Sequence, residues 1–112
     1  MESSDFVKVE NYDQYKILIP KRKFETSENL GEFIREFNQL IESDDKNIAL
    51  DFAEIEYAPS SIIGMIMKAH KEFEQIEKKL AVLRPHPKLL NILQASGVNK
   101  ILRIVDKKED LL

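Results

Sequence analysis

The stretch Tyr57-Ala58-Pro59-Ser60-Ser61-Ile62-Ile63-Gly64 holds the residues best suited to chemistry. Two hydroxyls stand between a proline and an apolar run with helical spacing. Serine at such a boundary has two uses. It can cap the helix, its oxygen accepting a hydrogen bond from an unpaired first-turn amide. It can also carry a phosphate, because the free N–H groups and partial positive charge of a helix N-terminus favour an anion. A phosphate adds about −1.5 to −2 charges and would oppose docking of a partner on Ile62, Ile63 and Met65. Nucleophilic catalysis needs a base held by a third group, and the stretch lacks the Gly-x-Ser-x-Gly elbow.

The acids Asp51, Glu54 and Glu56 precede the serines. With His70 or His86 they would suggest a metal site. Neither histidine lies in a recognised ligand spacing, so the acids read as solvated loop residues and no metal is expected. His86, between two prolines, reads as a loop residue. His70 falls beside the apolar stripe of a helix and reads as a packing or boundary residue. The chain has three glycines and no glycine-rich loop to cradle a nucleotide, so no cofactor is expected.

These residues must be positioned by the elements around them. "FVKV" and "YKILIP" are β-rich runs separated by "ENYDQ", and they predict an antiparallel hairpin stopping near Pro20. Asn29, with Glu32 three residues on, predicts a helix start of capping-box type. Leu30, Phe33, Ile34, Phe37, Leu40 and Ile41 then form one apolar face. "IALDF" predicts a strand buried on both faces. Ile62, Ile66, Ala69, Phe73 and Ile76 step along a second helix, with Lys68, Lys71, Glu72 and Gln75 on its other side. "KLAVLRP" is a strand. "HPKLLNILQASG" is a short helix with Pro87 in its first turn and Gly97 at its C-terminal cap. "KILRIVD" is a last strand, and "KKEDLL" suits a helical turn. The order β-β-α-β-α-β-α-β predicts an α/β fold over residues 1–112. It is one domain with a mixed sheet, an N-terminal hairpin at its edge and helices packed on it.

Composition sets the outer limits. A chain of 112 residues, 43% hydrophobic and 33% charged, suits one globular domain. Its net charge of −3 gives no basic excess for nucleic acid, so no direct nucleic-acid binding is expected. It has no cysteine, which excludes thiol nucleophiles and disulfides. No apolar run approaches the ~20 residues of a membrane span. The N-terminus lacks a basic segment followed by an apolar core, so no membrane insertion and a cytoplasmic location are expected.

Several of these pieces together resemble the STAS domain, and within it the stand-alone bacterial anti-sigma factor antagonists. They are "IALDF" ahead of the serine loop, the serine pair opening a long helix, "KLAVLRPHP" and "LLNILQASGVNKILRIVD". The likeness is strongest from Ile48 to Asp106. The family pattern is a strand ending in aspartate, a loop, then Asp-Ser-Ser/Thr-Gly-hydrophobic-Gly. Asp51 matches the strand aspartate, Ser60 the phosphorylatable serine, Ser61 its neighbour, Ile63 the hydrophobic position and Gly64 the second glycine. Pro59 replaces the loop aspartate and Ile62 the first glycine.

The resemblance implies a non-enzymatic regulatory protein that binds a kinase-type anti-sigma factor or another regulatory protein. Phosphorylation of Ser60, with Ser61 as the alternative, would control the binding. The implied docking surface is Pro59, Ser60, Ser61, Ile62, Ile63 and Met65. Isoleucine at 62 is expected to crowd a partner's backbone where glycine would admit it. The alternative role is a constitutive STAS subunit of a signalling or lipid-transport ATPase complex that is not phosphorylated.

Overall fold

The computed structural model describes residues 6–21, 23–24, 26–43 and 46–112. Strands β1 (Val7–Tyr12) and β2 (Tyr15–Pro20) form the expected hairpin. Pairing runs to Tyr12 opposite Tyr15, so "ENY" belongs to the strand and only Asp13 and Gln14 turn. Asp13 takes φ 54°, a left-handed conformation that aspartate tolerates in tight hairpin turns.

Helix α1 spans Ser27–Ser43. Its start corrects the expectation at Asn29. Thr26 is the capping residue: its hydroxyl accepts from the Asn29 amide at 3.0 Å, and its carbonyl accepts from Leu30 N. Asn29 already lies in the first turn. Glu32 does not close a capping box; its carboxylate accepts from the Phe6 amide at 3.2 Å and ties the helix to the hairpin.

Strand β3 (Asn47–Asp51), helix α2 (Ser60–Gln75), strand β4 (Leu80–Leu83), helix α3 (Pro87–Ala95) and strand β5 (Arg103–Val105) follow. Short 3-10 turns lie at Val98–Lys100 and Lys108–Leu111. Pro87 sits in the first turn of α3, and Gly97 leaves it with φ 80°. That left-handed conformation is why glycine stands there. The last strand is shorter than "KILRIVD" suggests, because Val98–Lys100 coils first.

The sheet order is β1-β2-β3-β4-β5, antiparallel between β1 and β2 and parallel elsewhere. Alternation along the strands divides the core in two. Leu18, Ile48, Leu50, Leu80 and Val82 face α1, α2 and α3, meeting Phe33, Phe37, Ile62, Ile66 and Leu93. Tyr15, Ile17, Ala49, Ala81 and Leu83 face the other way and are covered by Leu111. Central β3 is therefore buried on both sides, as its apolar run predicts. Ile76 is a correction: it follows the last turn of α2 and is 61% exposed, outside the apolar stripe.

The C-terminal turn is strapped across the helix-free face. Arg103 Nη1 donates to Tyr15 Oη at 2.8 Å and to the Leu111 carbonyl at 3.3 Å, and its Nη2 to the Asp110 carbonyl. Lys108 Nζ donates to Glu10 at 2.8 Å and lies over the Tyr12 ring. The Lys108 hydrogen bond holds the Glu10 carboxyl below its usual value of 4.5, with charge attraction from Lys108 and Lys8 adding to it. A carboxyl depressed in this way stabilises the fold above its unfolded value. That contribution fades as pH falls through the folded value. Lys108→Met will move the Glu10 titration upward, read by 13C NMR of its carboxyl carbon. An unmoved midpoint would mean that the strap is not formed in solution.

Candidate functional site

The site begins where β3 ends. Asp51 is its last residue, and the carboxylate is buried at 4% exposure. It is not the solvated loop acid expected from sequence. Its Oδ1 accepts from the Ala53 amide at 3.1 Å, and its Oδ2 accepts from Arg84 Nε at 3.2 Å and Nη2 at 2.8 Å. The hydrogen bond and charge of Asp51 raise the Arg84 guanidinium above its usual value, so it stays ionised. Register explains the pairing. Asp51 lies opposite Leu83 in the parallel pair, so the residue after β4 emerges beside it. Arg84 holds φ 39°, a left-handed conformation costly for a side chain of its size.

Residues 52–59 then cross to α2. The Phe52 carbonyl accepts from Ile55 N and His86 N, each at 3.0 Å. Ile55 and Ala58 turn inward at 1% and 3% exposure, which leaves Tyr57 between them 63% exposed. Glu56 is drawn between Lys23 at 3.5 Å and Lys88 at 3.3 Å, with His86 Nε2 at 4.0 Å. The Lys88 hydrogen bond, then the Lys23 charge, lowers the Glu56 carboxyl below its usual value. His86 is more than a loop residue: its Nδ1 accepts from Lys88 N and caps α3. His70 lies within α2 beside its apolar stripe as expected, half-buried and 3.5 Å from Glu74.

Helix α2 starts without help from either serine. Pro59 is its N-cap at φ −62°, ψ 156°, and no side chain caps the helix. The Pro59 carbonyl accepts from Ile62 N at 2.9 Å and Ile63 N at 3.2 Å. Proline suits this place because its fixed φ matches and its missing N–H would lie outside the helix. The capping role weighed for the serines is thus taken by backbone. Ser60 and Ser61 occupy the first two helical positions and are exposed.

The remaining residues divide by side. Ile62 is fully buried, among the largest core side chains, and offers a partner no surface. Its place in the expected docking surface, and the crowding expected from it, are both corrected by its inward direction. Ile63 and Met65 are half-buried and packed against the core. Met65 and Ser61 line an open groove of about 350 Å³ between α1 and α2, with Ile34, Ile41 and Lys68. Among the described residues, no group of three His, Asp or Glu side chains could hold a metal. None of their helices is long and apolar enough to cross a membrane.

Sequence reasoning missed the Arg84–Asp51 pair, the Glu56 cluster and exposed Tyr57. For the first there was a signal: an acid ends one parallel strand and an arginine follows the next.

The family model described as "Mlab, STAS domain" matches residues 26–106. No curated protein matches the sequence. Solved structures do match in fold. An anti-sigma-factor antagonist (STAS) domain protein from Planctomyces limnophilus aligns at TM-score 0.77 and 12% identity, over 94% of this chain and 93% of that one. The unphosphorylated anti-sigma factor antagonist SpoIIAA aligns at 0.73 and 15%, over 94% and 92%. A candidate anti-sigma factor antagonist from Thermotoga maritima aligns at 0.73 and 20%, over 94% and 90%.

Proposed function

The chain belongs to the STAS domain family, and we propose that it is a non-enzymatic, cytoplasmic regulator that binds a protein partner through the start of α2. The partner is a kinase-type anti-sigma factor. That kinase moves the γ-phosphoryl group of ATP to Ser60 Oγ, and the product no longer binds. One observation carries the reading. Ser60 is exposed at the first position of a 16-residue helix with its hydroxyl spared from capping. The Ile62 and Ile63 amides are taken by Pro59 O, but the first two positions of a helix have no intrahelical acceptor and its N-terminal end is partially positive, so a phosphate there is stabilised. The half-buried Ile63 lies about one turn on from Ser60, and Met65 about one turn on from Ser61, and a dianion at this end of the helix opposes desolvation by a partner.

Pro59 removes a carboxylate from beside the phosphate and so removes a like-charge repulsion. It also gives the kinase a different shape to read. The second reading, a constitutive subunit that is never phosphorylated, draws on this same departure.

Incubation with ATP and the cognate kinase, followed by mass spectrometry, will place phosphate on Ser60. Ser60→Asp will weaken partner binding by at least about tenfold, near 1.4 kcal/mol, while Ser60→Ala keeps it. Calorimetric titration reads both. Phosphate on neither serine, with Ser60→Asp binding as wild type, selects the constitutive reading.

A further inference from the structure

We propose that Arg84 is a positioning residue for the Ser60 loop, acting through Asp51, with Lys88 and Glu56 as a second tie. The β4–α3 loop thereby sets how the serine is presented. The inference rests on the proposed function only for its consequence in partner recognition.

Three ties, at residues 51, 52 and 56, join the segment to the β4–α3 connection and the first turn of α3. At its root, Arg84 grips Asp51 with two nitrogens on one oxygen while Ala53 N holds the other. One residue on, Phe52 O accepts from His86 N. Near its far end, Lys88 holds Glu56 at 3.3 Å. Ile55 and Ala58 turn into the core. Tyr57 is left facing solvent in the loop, and Ser60 at the first position of the helix that follows it.

The asymmetry at Arg84 points the same way. Its side chain is 49% exposed, whereas the Asp51 side chain is 3% exposed. An exposed arginine has little to gain from a surface ion pair. A buried carboxylate left without it has much to lose. The pair therefore acts on the Asp51 side, fixing where β3 hands over to the loop. The left-handed backbone at Arg84 is the strain carried for that placement.

Amide hydrogen exchange on the 15N-labelled full chain decides the point. In Arg84→Met, the Ala53 and Ile55 amides will exchange at least about tenfold faster, while Ala49 and Val82 in the strands keep wild-type rates. Arg84→Lys will recover only part, because a single ammonium cannot replace the planar two-nitrogen contact. Arg84→Gly, whose backbone suits the left-handed conformation, guards against a folding defect and will give the same loop-only loss. Adding Asp51→Asn to Arg84→Met will restore part of the protection by removing the unpaired charge. Wild-type loop exchange in Arg84→Met and Arg84→Gly would overturn the proposal, as would equal losses in loop and strands. Phosphorylation of Ser60 by the cognate kinase will slow in Arg84→Met well below its unfolding temperature. A wild-type chain that is never phosphorylated defeats the proposed function alone, since exchange rates decide the positioning role.

Discussion

Ile62→Gly, which restores the residue of the family motif, will destabilise the domain by about 3–6 kcal/mol and will not open its surface. Ile62 is fully buried and belongs to the cluster that joins α2 to the sheet. Removing a buried aliphatic side chain of this size costs about 2–5 kcal/mol, and glycine inside a helix adds about 1 kcal/mol. A domain with 5–15 kcal/mol in total, roughly, is left marginal. Urea unfolding will show a lower midpoint with an unchanged slope. Below the transition, partner affinity will match wild type, because Ser60, Ser61 and Met65 keep their places. A loss under about 1 kcal/mol, or a gain in affinity, would show that Ile62 works at the surface instead.

That outcome also explains how the sequence could point two ways. Ile62 begins the stripe Ile62-Ile66-Ala69-Phe73, and it also follows the serine pair. The first fact predicts core and the second predicts surface. The stripe decides, because three further turns of buried residues fix the rotation of α2. The same rotation puts Ser60 and Ser61 outward. Periodicity thus told more about the site than the motif did.

Elements with strong periodic or turn signals were legible: the hairpin, the buried run of β3, and α3 between Pro87 and Gly97. Caps were less so. Thr26 and Asn29 are both fair caps, and the helix uses the first. At α2 the local preference for serine lost to the fixed φ of Pro59. Least legible were the links between loops. Asp51 and Arg84 lie 33 residues apart and meet only because β3 and β4 pair in one register. Lys23 and Glu56, from two connections, converge with Lys88 from the first turn of α3, for which no spacing rule exists.

The second large effect falls at the root of both loops. Phe52→Ala will cost about 3–5 kcal/mol and lower the melting temperature by more than about 10 °C. The ring is 2% exposed, edge-on to Phe24 at 6.2 Å and tilted against Phe33 at 5.8 Å. Such contacts add about 0.5–1.5 kcal/mol each beyond burial. Phe52 also walls a small apolar cavity of about 10 Å³ with Ala58, Ile63 and Leu93, so truncation enlarges a void that already exists. Its carbonyl accepts the Ile55 and His86 amides, so the same residue serves the core through its ring and the two loops through its backbone. Loop protection should therefore fall together with global stability. This differs from Arg84→Met, which loosens the loop alone. Phe52→Leu, closer in volume, will lose less stability and keep most of the loop's protection. If Phe52→Ala melts within a few degrees of wild type, the aromatic cluster does not anchor the Ser60 loop. The ties to Arg84 and Lys88 would then have to hold it unaided.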